Sequence, residues 1–299
     1  MSKMLLNSFL FICLSLSSTA GERTIPMFVS TQWLSDHMND KDIVILQVGF
    51  SRKEFAFAQL PTARFVWFNS LAVSNPDLNT EMPEISEGKK VLEELGIERH
   101  SRIVVVFSGQ NVAIATRIIL ALGYFGFADQ TAILNGGMEL WKNEGRPLAK
   151  GVTAVKRSSL NISPDRSVIT DAEWVKEHHT SADVAIVDAR TKSFYDGNGG
   201  GVARQGHITG AKSLPYTMIL DSLNRFRSTG ELQQLFDDAG IKNSSTIVTY
   251  CHVGQQATVV SFAAKLLGYT VKVYDGSFED WNVRDESYPV EKIEVTRKP

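Results

Sequence analysis

The chain has 299 residues, which is enough for two domains of ordinary size. Hydrophobic residues make up 43% of it and charged residues 21%, close to the globular average, so wholesale disorder is excluded. The 31 basic and 33 acidic side chains give a net charge of -2, and no nucleic-acid binding driven by phosphate neutralisation is expected. With only two cysteines, Cys13 and Cys251, a disulfide scaffold and a cysteine-rich zinc site are excluded.

Residues 1–20 have the features of a secretory signal peptide. Lys3 gives a short basic start, residues 5–16 form an apolar run too short to span a bilayer comfortably, and Ser18 and Ala20 are small residues placed for cleavage. A buried N-terminal helix and an uncleaved anchor are the alternatives. We expect an exported protein, periplasmic or secreted, that has no stable insertion in a membrane once the signal is removed.

Cleavage of this signal has a consequence for the cysteines. Cys13 leaves with the signal, and Cys251 becomes the only thiol of the mature chain. A lone thiol cannot form an internal disulfide, so Cys251 is either a buried inert residue or a working nucleophile.

The second half of the chain repeats the first. The matching landmarks, first half and then second, are Gly96-Ile97 and Gly240-Ile241, Leu122-Gly123-Tyr124 and Leu267-Gly268-Tyr269, Trp141 and Trp281, and Arg146-Pro147 and Tyr288-Pro289. So long a period indicates a duplicated domain and not a solenoid. We expect residues 22–150 to form the first domain, residues 167–299 the second, and the polar segment 151–166 the linker between them.

Each half alternates short apolar runs with stretches of helical periodicity. The runs 43–46 and 184–187 suit strands that are buried on both faces. The stretches 87–95 and 230–239 suit helices, and each is followed by a glycine. This alternation predicts an α/β fold in which each domain is a parallel sheet with helices on both faces.

The most informative segment begins at Cys251. A β-rich run, 246–250, ends there, and residues 251–256 lead into an apolar helix that starts near Ala257. Ligands of open α/β sheets bind at the carboxyl ends of strands, and the backbone N–H groups of such a turn form an anion nest. We expect these amides and the helix dipole to lower the pKa of the Cys251 thiol and to make it a nucleophile. Gly254 permits the tight backbone that the turn needs.

These features resemble those of tandem-domain rhodaneses, which are sulfurtransferases of the thiosulfate and 3-mercaptopyruvate group. The likeness runs from about residue 27 to the end, and the second half carries its motifs: Asp188-Ala-Arg190, His207-Ile-Thr-Gly-Ala211, Arg225-Phe-Arg227, the loop 251–256, Tyr274-Asp-Gly-Ser277 and Trp281. The resemblance implies two rhodanese-like domains, of which the second is catalytic and the first is not. It implies no metal and no organic cofactor, because sulfur itself is the group carried.

The resemblance also implies a two-step reaction at Cys251. The thiolate would take a sulfane sulfur from a small-molecule donor and pass it, through a persulfide, to a thiophilic acceptor such as cyanide or a thiol. Asp188 is expected to brace the loop. Arg190 is expected to hold an anionic donor, with a structural ion pair to Asp188 as the alternative. The other residues expected to bind the donor are His252, Val253, Gly254, Gln255 and Gln256.

The loop departs from both common patterns of the family. Thiosulfate-type members usually follow the cysteine with two basic residues, and mercaptopyruvate-type members with Gly-Ser-Gly, whereas this loop reads Cys-His-Val-Gly-Gln-Gln. In the first domain, Gln47 stands where Asp is usual, and Leu60-Pro-Thr-Ala63 replaces the His-Ile-x-Gly-Ala pattern. We expect thiosulfate as the donor and keep 3-mercaptopyruvate as the alternative. If protonated His252 contributes charge, activity should fall as pH rises through its titration.

Ser108 occupies the place in the first half that answers to Cys251. No supporting His–acid pair is evident near it, so a degenerate structural loop is favoured over a hydrolytic nucleophile.

Three rival functions share the fold or the thiol. A dual-specificity cysteine phosphatase needs a longer loop that ends in Arg, whereas this one ends at Gln256. A cysteine hydrolase using His252 or His207 and a non-catalytic binding module are the others. The sequence does not predict the oligomeric state.

Overall fold

The structure, a computed structural model, describes residues 23–241 and 246–293. The predicted signal peptide, residues 1–20, lies outside the described residues, and so does Cys13.

The first half of the chain is built around a parallel sheet. Its strands are β1 (Phe28–Val29), β2 (Ile43–Gly49), β3 (Arg64–Trp67), β4 (Arg102–Val106) and β5 (Thr131–Leu134). Its helices are α1 (Thr31–His37), α2 (Arg52–Phe57), α3 (Ile85–Glu94), α4 (Val112–Leu122) and α5 (Gly137–Asn143). The strand order is β1-β5-β4-β2-β3, and every neighbouring pair is parallel.

The second half repeats this arrangement. Its parallel sheet contains β6 (Ile169–Thr170), β7 (Val184–Asp188), β9 (Lys212–Ser213), β10 (Thr246–Tyr250) and β11 (Thr270–Tyr274), in the order β6-β11-β10-β7-β9. A separate antiparallel pair joins β8 (His207–Ile208) to β12 (Val290–Glu291). The helices are α6 (Ala172–His178), α7 (Lys192–Tyr195), α8 (Thr229–Asp238), α9 (Ala257–Leu266) and α10 (Ser277–Val283). Short 3₁₀ turns lie at Phe68–Ser70, Ala128–Gln130, Arg166–Val168 and Tyr216–Ile219, and a π turn lies at Gly123–Phe127.

Burial on both faces of the sheets explains why the strand sequences are almost wholly apolar. Along β2, Val44 and Leu46 pack into one apolar core, while Ile43 and Ile45 pack into another. Successive side chains of a strand point to opposite faces, so the two cores lie on the two sides of the sheet. The predicted α/β fold with two parallel sheets is therefore confirmed.

Helices α4 and α9 bring the two halves together. The hydroxyl oxygens of Thr116 and Thr258, one on each helix, lie 2.7 Å apart. One apolar core extends across this contact and includes Ile118 from α4 and Phe262 from α9. Because each of these helices follows the central strand of its own sheet, the contact brings the carboxyl end of β10 close to the first half.

The segment predicted as the linker, 151–166, lies along the first half. The Thr153 hydroxyl donates to the Ala63 carbonyl at 2.6 Å, and the Ser158 hydroxyl donates to the Ile97 carbonyl at 2.5 Å. Side-chain hydrogen bonds to backbone therefore hold this connection in place.

In the described part of the chain, one helical stretch, Val112–Gln130, is long and apolar enough to cross a membrane by length and composition. Of the 18 most apolar consecutive residues in this stretch, 78% are buried inside the protein. The interface between the two halves accounts for this hydropathy, since α4 forms part of it.

Candidate active site

Cys251 is the first residue after β10, at the carboxyl end of the second sheet, and it has no exposed surface. Its backbone N–H donates to the Ser277 hydroxyl at 3.2 Å, and its carbonyl accepts from the Phe278 N–H at 3.0 Å. The turn that follows β11 thus fixes the backbone of Cys251 from both sides. Ser277 adopts φ +51, an unusual backbone for a residue other than glycine, which is common where geometry serves a site.

The loop 251–256 wraps its backbone around the sulfur. The N–H groups of Val253, Gln256 and Ala257 hydrogen-bond to the Cys251 thiol, as expected for an anion nest. Gly254 lies within this turn at φ +74, a conformation that favours glycine.

The pKa of the Cys251 thiol is nevertheless raised. Complete burial disfavours the thiolate more than the three amides favour it, and the negative charge of Asp188 adds to the rise. The prediction of a lowered thiol pKa is therefore wrong. It took account of the amide donors but not of the depth at which the sulfur is buried.

Asp188 and Arg190 form a buried ion pair beside this loop. Arg190 Nη2 donates to Asp188 Oδ2 at 2.6 Å, Nε donates to Oδ1 at 3.0 Å, and Nη2 also donates to the Gly206 carbonyl at 2.7 Å. The Tyr250 hydroxyl donates to the same carboxylate at 2.7 Å. Arg190 is only 1% exposed. This arrangement favours the structural ion pair over direct binding of a donor by Arg190, because the guanidinium is already engaged.

His252 is half-buried next to the cysteine, and its ring packs edge-on against Phe194 with 4.4 Å between ring centroids. Burial lowers the pKa of His252, and the positive charge of Arg190 lowers it further. The ring is therefore neutral at neutral pH. The sequence leaves the charge of His252 open, and the nearby Arg190 and the partial burial of the ring disfavour a protonated His252 in this site.

Comparison with known proteins agrees with this geometry. A family model described as a rhodanese-like domain matches the chain twice, at residues 30–144 and 171–284. The chain belongs to the rhodanese family.

Characterised relatives extend over most of the chain. The sulfur carrier protein TtuD of Thermus thermophilus is 30% identical over 85% of this chain and 93% of its own length. The thiosulfate sulfurtransferase of Azotobacter vinelandii is 26% identical over 90% of this chain and 98% of its own length. The crystal structure of SseA from Escherichia coli, described among 3-mercaptopyruvate sulfotransferases, matches with a TM-score of 0.77 at 25% identity and covers 85% of this chain and 99% of that one. These findings support a sulfurtransferase of the rhodanese and 3-mercaptopyruvate type.

The first rhodanese domain reaches the sulfur loop through residues that the sequence did not single out. The Thr80 hydroxyl donates to the Val253 carbonyl, and Asn79 donates to the Glu279 carboxylate from its backbone N–H at 2.8 Å and from its side chain at 2.7 Å. Thr80 adopts φ +57, which is strained for a β-branched residue. The segment around Thr80 therefore forms one wall of the loop.

Arg117 is the second contribution of the first domain. It is fully buried on α4, and its Nη1 donates to Asp275 Oδ1 at 2.6 Å. Asp275 follows β11, two residues before Ser277, and also accepts from the Met82 N–H at 3.0 Å. The sequence carried a signal for this residue, because Arg117 is the only charged residue in the apolar helix Val112–Leu122.

The two glutamines of the loop are half-buried at its outer side. The Gln255 carbonyl accepts from the Thr258 hydroxyl at 2.6 Å, which joins the loop to the first turn of α9. Gln256 has helical backbone and directly precedes α9. Both side chains are neutral hydrogen-bond donors, so they add no charge to the sulfur site.

The corresponding place in the first domain has no thiol. Ser108 is exposed and, together with Met138, lines a cavity of about 930 Å³. Gln47 is buried, and its side-chain oxygen accepts from the Leu60 N–H at 3.2 Å. Gln47 thus braces the segment at Leu60 in the way an acidic residue would, but without a charge. Across residues 23–241 and 246–293, no group of three or more His, Cys, Asp and Glu side chains is arranged to hold a metal ion.

Proposed function

We propose that this rhodanese transfers a sulfane sulfur from thiosulfate to a thiophilic acceptor, such as cyanide or a thiol, through a persulfide on Cys251. The observation that carries the proposal is the nest of three backbone N–H groups around a buried thiol at the carboxyl end of β10. Such fixed donors stabilise negative charge on sulfur without reorganising during the reaction.

The reaction follows from the chemistry of the thiolate. After the thiol loses its proton to solvent, the Cys251 thiolate attacks the outer sulfur of thiosulfate. The sulfur–sulfur bond of the donor breaks, and sulfite leaves with its electron pair. The acceptor then attacks the outer sulfur of the persulfide, and the electron pair of that bond returns to Cys251. The same amides of Val253, Gln256 and Ala257 face the anion in both steps.

The choice of thiosulfate rests on what the site offers an anion. Arg190 is committed to Asp188, and His252 is neutral at neutral pH, so the donor is held chiefly by backbone N–H groups and by the side-chain amides of Gln255 and Gln256. A small dianion with several oxygens suits such donors. The loop lacks the Gly-Ser-Gly of mercaptopyruvate-type members, which disfavours the alternative donor.

An assay of the mature chain with cyanide as acceptor tests this proposal. We expect a higher kcat/KM with thiosulfate than with 3-mercaptopyruvate. The reverse order would overturn the donor while leaving the persulfide in place. Absence of sulfur transfer from both donors, together with a thiol that never gains sulfur, would leave only a binding module with the rhodanese fold.

We also propose that the protein acts outside the cytoplasm after loss of residues 1–20. Lys3, the apolar run 5–16 and the small residues near Ala20 support this proposal. Its partners would be the small-molecule donor and acceptor, with no nucleic acid, given the net charge of -2. Sequencing of the natively produced protein should find Gly21 at the N-terminus. An intact Met1 form in the cytosol would contradict export.

A further inference from the structure

A charged cluster lies where the first domain meets the sulfur loop. Arg117 has no exposed surface, and its Nη1 is 2.6 Å from Asp275 Oδ1. Among the described residues, Arg117 Nε and Nη2 have no hydrogen-bond partner. Its side-chain hydrogen bonding is thus directed to Asp275, across the boundary between the two domains.

Asp275 is linked to Cys251 through the adjoining residues Ser277 and Phe278, which hydrogen-bond to the cysteine backbone. Two residues later Ser277 accepts from the Cys251 N–H, and Phe278 donates to the Cys251 carbonyl. A displacement of Asp275 is therefore passed directly to the backbone of the nucleophile.

The pair also lies against the turn of the sulfur loop. A Cβ atom added to Gly254 would be 2.6 Å from the Asp275 carbonyl oxygen and 3.3 Å from Arg117 Nη1. Gly254 thus lies against the Asp275 backbone and the Arg117 guanidinium, and a side chain at this position would push the loop away from them. Gly254 lies between Val253 and Gln256, two of the residues whose amides hold the sulfur.

Several acidic side chains lie near Arg117. Asp275 is paired with it, Glu81 of the first domain lies close enough to be affected by both, and Glu279 and Asp280 of α10 add further negative charge. Asp280 is also paired with Arg284, at 2.8 Å. Removing the Arg117 guanidinium would therefore leave Asp275, beside Glu81, without its partner.

We propose that Arg117 of the first domain is a positioning residue for the sulfur loop. Its ion pair with Asp275 holds the turn at Gly254 and so aims the amides of Val253, Gln256 and Ala257 at the Cys251 sulfur. The inference rests on the proposed function in that Cys251 is taken to be the reacting atom. It gives the catalytically silent domain a defined role in the chemistry.

Two readouts test this role in the full mature chain. The first is the rate of Cys251 alkylation by iodoacetamide as a function of pH, which reports the thiol pKa without any sulfur donor. The second is the rate of persulfide formation with thiosulfate in a single turnover. Arg117→Met should raise the thiol pKa and slow persulfide formation by about 10²-fold, because small misplacements of an aligned site cost that much. Arg117→Lys, which keeps the charge, should recover part of both losses.

The matched control is Arg102→Gln, which breaks an arginine–aspartate pair of the same domain at the start of β4. We expect it to lower stability without moving the alkylation profile. If Arg117→Met does not fold, the double variant Arg117→Met/Asp275→Asn takes its place in both measurements. The double variant leaves neither charge of the pair unpaired.

The proposal is overturned if the folded Arg117 variant, or the folded double variant, keeps the wild-type alkylation profile and the wild-type rate of persulfide formation. A fall in thermal stability alone would also overturn it, since a purely structural pair predicts only that. If the wild-type protein forms no persulfide with thiosulfate or 3-mercaptopyruvate, the proposed function fails. The alkylation profile still decides the role of Arg117.

Discussion

Arg190 closes a two-point ion pair on Asp188, with Nη2 2.6 Å from one carboxylate oxygen and Nε 3.0 Å from the other. Because the Tyr250 hydroxyl donates to the same carboxylate, three elements of the second domain meet at one buried charge. This arrangement makes Arg190 a brace beneath the sulfur loop, with its charge already compensated before any donor arrives.

Breaking this pair should therefore affect stability first. Arg190→Gln leaves Asp188 as an uncompensated buried charge, and we expect the free energy of unfolding to fall by about 3–5 kcal/mol in urea titrations. Arg225→Gln removes an exposed pair with Asp221 and should cost only about 0–1 kcal/mol. A stable Arg190→Gln protein whose only defect is a raised KM for thiosulfate would instead indicate direct donor binding.

The rate of persulfide formation should rise with pH above neutrality. Burial raises the pKa of the Cys251 thiol, so the reactive thiolate continues to accumulate beyond the pH at which an ordinary cysteine, with a pKa of about 8.5, has titrated. His252→Gln should leave the shape of this profile unchanged, because burial lowers the pKa of His252 and keeps the ring neutral. A wild-type rate that declines from pH 6 to 8, and a flat profile in the histidine variant, would contradict this account.

Stability should depend on pH through Glu81. Burial, reinforced by the charge of Asp275, raises the pKa of Glu81 to about 8. The unfolded chain ionises this group from about pH 4.5 upwards while the folded chain does not. The contribution of Glu81 to stability is therefore fully present below that pH and is lost as pH rises to about 8. As pH rises across this range, the urea midpoint of the wild-type protein should fall relative to that of Glu81→Gln. If the urea midpoint depends on pH equally in both proteins, Glu81 does not contribute in this way.

Gly254 and Gly109 offer a matched comparison between the two domains. Both have positive φ, but a Cβ at Gly254 would meet the Asp275 carbonyl oxygen at 2.6 Å, whereas nothing lies within 4 Å of one at Gly109. Gly109→Ala should cost only the backbone strain, about 1 kcal/mol, and leave persulfide formation unchanged. Gly254→Ala should slow persulfide formation by about 10²-fold. Similar rates in the two variants would show that the loop does not need this contact.

The sequence predicted those parts of the site that depend on neighbours along the chain. The apolar run 246–250, the turn after Cys251 and the helix near Ala257 specify a strand, a nest and a helix by local rules, and the structure has them in those places. The pKa directions of Cys251 and His252 could not be predicted in this way. They depend on burial, which is set by packing between segments distant in sequence.

The residues through which the first domain reaches the loop were missed for a related reason. Thr80 and Arg117 lie 173 and 158 residues from their partners in the second domain. No periodicity or spacing links positions so far apart. The only local sign was a charged residue within an apolar helix, which marks a buried partner without saying where that partner lies.

The central claim is that Cys251 carries the transferred sulfur, and the mass of the protein after brief exposure to thiosulfate tests it most directly. The wild-type chain should gain the mass of one sulfur atom, located on the peptide containing Cys251, and cyanide should remove it. Ser108→Ala should behave like the wild-type chain, while Cys251→Ser should gain nothing. An unmodified wild-type protein under conditions that support turnover, or sulfur retained by the Cys251→Ser variant, would contradict the account.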